Sequence, residues 1–170
     1  MSVLQIQIFA KHLNESSRSK PMSDVTTVTL TVLSSQAKAA KAFAKYSPEE
    51  EYLEDSLTYF IFYEVNAGDL PFLSKLETAG IAFDSNWSHG DNYGPGCKSC
   101  RFTSTGDIII KTVYDGDSAV PLDALLPILQ DHAALIKCIR LCQKHVAVLP
   151  WDDQEKYGKV YLATKLINPS

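Results

Sequence analysis

The sequence predicts an α+β domain with a mainly antiparallel sheet of about five strands and helices packed on one face. Three observations carry this. Val25 to Leu33 alternates Val28, Leu30 and Val32 against Thr27, Thr29 and Thr31, the period of a half-buried strand. Ser56 to Val65 is a run of aromatic and β-branched residues without Gly or Pro, apolar on both sides, as an interior strand requires. Thr105-Gly106 then marks a turn before Asp107–Tyr114, so that Arg101–Ser104 and Asp107–Tyr114 should form an antiparallel hairpin. The 170 residues suffice for one sizeable core and are few for two, which makes 1–170 a single domain.

The remaining elements follow in order. Val3 to Phe9 alternates Leu4, Ile6 and Ile8 with Gln5 and Gln7 and reads as a strand that pairs with Val25–Leu33. The polar segment 11–24 between them reads as a flexible loop. Ser34 or Ser35 should cap a helix to about Tyr46, with Ala37, Ala40, Phe43 and Ala44 inward. Ser47-Pro48 before Glu49–Glu51 predicts a second, short helix: serine cap, proline in first position, carboxylates at the positive dipole end. With Glu54 and Asp55 these acids serve helix capping and solubility, or else an acidic docking edge for a basic partner. Asp69 should cap a helix through Leu70, Leu73 and Leu76, with Gly80 in the left-handed position past its end and Ile81-Ala-Phe opening the next strand.

Beyond Tyr114, Pro121 opens a helix to about Gln130, interrupted at Pro127, and Asp131 caps a stronger one from His132 to about His145. Val146–Trp151 is a short strand or an extended crossing. Asp152–Gly158 is one helical turn closed by glycine, and the tail from Lys159 fits helix or strand equally.

Between these elements the periodicity stops. The segment 84–100 should be a long irregular loop at the end of the sheet, where rigid scaffolds carry function. A formal charge of −4 argues against a domain that binds nucleic acid by neutralising phosphates, and is too small by itself to indicate a DNA mimic. No stretch of eighteen apolar residues occurs, no membrane span is expected, and four cysteines without an export signal point to a reducing cytoplasm.

Two kinds of chemistry are candidates in the loop. Cys97-Lys-Ser-Cys100 has zinc-ligand spacing after Gly94-Pro-Gly96, with His89 nearby and Cys138, Cys142 and His145 on one distant helix face. A single such motif is weak, and cysteines are commonly small buried hydrophobes. The expectation is therefore no cofactor, with zinc as the one alternative. Asp84, His89 and Asp91 could converge as a general base, although Asp and Asn also support turns through their own backbone. The chain has no nucleophile elbow, phosphate loop, dinucleotide fingerprint or His-Glu-x-x-His.

The aromatics weigh more. Trp87 and Tyr93 lie among glycines and acids, and Trp151 precedes Asp152-Asp153; such residues anchor protein partners, or else fold back over the sheet end. The run Gly80-Ile-Ala-Phe-Asp-Ser-Asn-Trp87, Tyr93-Gly-Pro-Gly, Cys100-Arg-Phe and Leu149-Pro-Trp-Asp-Asp-Gln154 resembles small accessory proteins of plasmids, phages and integrated mobile elements. The resemblance implies a setting in which proteins inhibit host defence, of the anti-CRISPR or anti-restriction type. The expected function is thus a non-catalytic protein-binding module using Asp84, Trp87, His89, Asp91, Tyr93, Trp151 and Asp152; the alternative is a small enzyme or zinc protein built on the same loop.

Overall fold

The computed structural model describes residues 24–115 and 125–167. The strand expected at 3–9, the loop expected at 11–23 and the start of the helix expected from Pro121 lie outside these residues. Among the described residues six strands form one wholly antiparallel sheet in the order β2-β3-β1-β4-β5-β6. They are β1 (Val25–Leu33), β2 (Glu50–Glu54), β3 (Leu57–Asn66), β4 (Phe83–Trp87), β5 (Gly96–Phe102) and β6 (Ile108–Tyr114). Four α-helices accompany it among the described residues: α1 (Ala37–Phe43), α2 (Leu73–Thr78), α3 (His132–Val146) and α4 (Gln154–Ile167).

The alternation in β1 sets the core. Leu30 lies between Phe60 and Ser85, and Val32 between Thr58 and Phe83, so one face collects the apolar side chains of four strands as far as Cys100 and Phe102. Against it pack Ala40 of α1, Leu73 and Leu76 of α2, and Tyr157 and Tyr161 of α4. No described side chain of α3 is buried. Its C-terminal end is held by Lys111 of β6, whose Nζ donates to the carbonyls of Lys144 and Ala147. The N-cap of α3 is as expected: the Asp131 carboxylate accepts from the Ala134 amide at 3.0 Å.

Several local expectations yield to tertiary pairing. Glu50–Glu54 is not a helix but the edge strand β2; its backbone finds a ladder on β3, and Tyr52 stacks on Tyr59 with ring centroids 4.7 Å apart. The acids of this edge are exposed, a common defence against further strand pairing. Helix α1 ends at Phe43, and neither Ser34 nor Ser35 caps it; Ser34 instead accepts from Thr58 and Ser35 donates to Glu155 of α4. Asp69 does not cap α2, which begins at Leu73, whereas Gly80 does take the left-handed conformation, φ +68°.

The largest revision concerns 84–100. Most of it is sheet: β4 and β5 pair from Phe83↔Cys100 to Trp87↔Gly96, and only Ser88–Pro95 is irregular. At the other end, α4 runs unbroken through Gly158 to Ile167, while 147–151 is extended without pairing. Gly158 packs on the turn at Gly80 so closely that a Cβ there would stand 2.1 Å from the Gly80 carbonyl oxygen. Gln154, 2% exposed, accepts from the Phe102 amide at 2.8 Å and donates to the Phe102 carbonyl at 3.2 Å. It thereby extends the β5 ladder past the point where β4 begins.

Candidate functional site

Two consecutive rows on the core face run across β4, β5 and β6 at the end of the sheet: Ser85–Lys98–Thr112 and Trp87–Gly96–Tyr114. Because Gly96 has no side chain, the Trp87 indole lies across it and meets Tyr114 edge-on, with centroids 5.8 Å apart. A Cβ on Gly96 would come within 2.4 Å of the indole. The chain between β3 and α2 closes over the other side of Trp87 through Gly68, φ +67°, whose added Cβ would sit 2.9 Å from the Trp87 side chain. Together with Tyr93, Leu73 and Asp69, these rows enclose a concave pocket of about 310 Å³.

The irregular segment Ser88–Pro95 borders this pocket and is fixed from several directions. Asp24, just before β1, accepts from the amides of Asp91 at 2.7 Å and Asn92 at 3.2 Å, and from the Asn92 side chain at 3.1 Å. The Thr26 hydroxyl donates to the Ser88 carbonyl at 3.0 Å, and the Trp87 indole N–H donates to the Gly94 carbonyl at 3.1 Å. The Ser88 amide reaches Thr27, and the Gly90 amide closes on Tyr93. His89, Asp91 and Asn92 are left exposed at the tip. Burial, followed by the nearby Asp24 carboxylate, raises the pKa of the Tyr93 phenol above its ordinary value.

Asp84 and Trp151 stand elsewhere. Asp84 alternates with Ser85 and faces the opposite side of the sheet, where Arg101 grips it at 2.7 Å. Arg101, 2% exposed, also donates to the carbonyls of Phe83, Cys100 and Leu149, and Trp151 covers its guanidinium at 3.8 Å. Trp151 therefore folds back, and Asp84 is engaged in the fold; Asp152 is exposed beside them. Asp84 does not converge with His89 and Asp91: it is held by Arg101 within β4, whereas they are exposed on the loop beyond the end of that strand.

The cysteine pair cannot chelate one ion. Positions three apart on a strand point to opposite faces. Cys100 lies in the core at 0% exposure, whereas Cys97 faces the other way and contacts Ser99 Oγ at 3.5 Å. Burial, reinforced by Glu77, pushes the Cys100 thiol up to about 12, and burial also raises Cys97, so neither offers a ready thiolate. Among the described residues no group of three His, Cys, Asp or Glu side chains is placed to hold a metal ion. Among them too, no helix is long and apolar enough to cross a membrane.

No protein-family model, curated protein or solved structure matches this chain. Trp87, Tyr93, His89 and Asp91 are brought to one end of the sheet, while Asp84, Trp151 and Asp152 are not. Asp24, Ser85, Lys98 and Tyr114 belong to the same end, and nothing local in the sequence marks them. Ser85, Lys98 and Tyr114 belong there through the register of β4, β5 and β6, and Asp24 through the pairing of β1 with β4 and its bonds to Asp91 and Asn92.

Proposed function

We propose that this chain is a non-catalytic protein-binding module that meets its partner with the Ser88–Pro95 loop and the adjoining Trp87 and Tyr93. The observation that carries this reading is the bracing of an irregular loop by Asp24, Thr26 and the Trp87 indole, which leaves His89, Asp91 and Asn92 exposed. A surface segment already held in one geometry loses little entropy on binding, and half-buried aromatics supply contact area at low cost. Glu50 and Glu54, exposed on one face of β2, form a second acidic patch suited to a basic partner, whereas Glu51 points to the other face and is paired with Lys41 at 2.6 Å. Asp84 and Trp151 act in this reading as supports of the fold through Arg101. The partner class rests on the resemblance to mobile-element accessory proteins: a component of a host defence system, of the CRISPR or restriction type, inhibited by surface complementarity.

The test is capture from cells carrying an active restriction or CRISPR system, comparing the full chain with the double variant His89→Ala/Asp91→Ala. Both side chains are exposed, so the melting temperature should be unchanged. Recovery of the defence component should fall at least about tenfold, the effect of losing one modest contact cluster. Equal recovery of that component by both proteins, or by neither, would sink the proposal.

A further inference from the structure

The geometry points to a second use of this end of the sheet: the pocket binds a small carboxylic acid carrying one aromatic ring. The inference shares Trp87 and Tyr93 with the partner surface but does not rest on it. Ser85 carries the argument. It is 1% exposed, lines the pocket, and its Oγ has no hydrogen-bond partner. Buried hydroxyls are rarely left so, and a ligand atom is the natural complement.

The register places Ser85, Lys98 and Thr112 side by side, and all three can donate hydrogen bonds. Lys98 is paired with Glu77 at 2.9 Å, yet an ammonium has three donors and keeps others for an oxyanion. The next row along the strands, Trp87 and Tyr114 with Gly96 between them, offers ring surface. Rows two residues apart are separated by about 6–7 Å, which an arylpropionate spans from ring centre to carboxylate. The volume of about 310 Å³ is ample for a single ring with a short acidic side chain. Asp69 also lines the pocket but is solvent-exposed at the rim, where its charge is screened. Glu77 competes with the ligand for Lys98 and holds the affinity down.

The experiment is calorimetric titration of the full chain with 3-phenylpropionate, its amide and 3-phenylpropylammonium. The indole N–H resonance of Trp87 is followed in parallel by NMR. The acid should give saturable heat and shift that resonance, and the amide and ammonium should bind at least about tenfold more weakly, as loss of a charge-assisted hydrogen bond dictates. Ser85→Ala and Lys98→Met should each weaken binding by about tenfold or more, while Glu77→Gln should strengthen it. Ser85→Ala removes an unpaired buried hydroxyl and leaves the fold intact, so it remains decisive if Lys98→Met is destabilised. No saturable response to the acid, equal binding of the amide, or unchanged affinity in folded Ser85→Ala would overturn the inference.

Discussion

Replacing Arg101 by methionine removes the side chain that ties β5 to its neighbours on the face opposite the main core. The carboxylate of Asp84 would be left without its partner at 2.7 Å, and its Oδ1 is already buried without a hydrogen bond. Breaking a buried pair from one side costs about 3–5 kcal/mol, because the remaining charge is stranded. The bond to the Leu149 carbonyl at 3.0 Å adds about 1 kcal/mol. Loss of the stacking on Trp151 at 3.8 Å adds about 0.5–1 kcal/mol for a partly exposed ring. The expected loss is therefore about 4.5–7 kcal/mol, close to the whole stability of a marginal domain. Removing both charges in Arg101→Met/Asp84→Leu should recover about half of it, since apolar replacement of a buried pair is nearly neutral. Urea unfolding of the four proteins of this cycle, followed by circular dichroism and tryptophan emission, measures the coupling. A single variant within about 1 kcal/mol of the parent, or additive effects across the cycle, would refute the role given to Arg101.

Three further outcomes are expected. Gly158→Ala should destabilise strongly although it lies inside a helix, where alanine ordinarily gains about 1 kcal/mol, because its Cβ meets the Gly80 carbonyl at 2.1 Å; a raised melting temperature would contradict the contact. The Cys100 thiol, lifted from 9.0 to about 12 by burial, favours the folded state below pH 9. Stability should then fall with a slope of up to about 1.4 kcal/mol per pH unit as pH rises from 9 towards 12. Cys100→Val should flatten that slope, which alkaline denaturation curves can read. Asp24→Ala should leave global stability within about 1–2 kcal/mol of the parent. Its local effect is larger: hydrogen exchange at the Asp91 and Asn92 amides should accelerate at least about tenfold, and unchanged protection would show that other contacts fix the loop.

What the sequence determined by itself is what depends on local period and local sterics. The alternation of β1, the apolar run of β3, the hairpin turned at Gly106, the left-handed Gly80 and the Asp131 cap are all legible in their own neighbourhoods. The tertiary structure decided the rest. Glu50–Glu54 carries the signals of a helix start, yet joins the sheet because β3 offers a free edge. Phe83-Asp-Ser-Asn-Trp87 and Gly96-Cys-Lys-Ser-Cys100 look irregular because polar and small residues weaken their alternation; they are strands because ladders on both sides satisfy their backbone. The candidate site shows the same division. Trp87 and Tyr93 stood out by residue type, but Ser85, Lys98 and Asp24 enter only through pairing between segments distant in the chain. A side chain's chemistry is written locally, whereas its neighbours across a sheet depend on register, and register is a property of two strands at once.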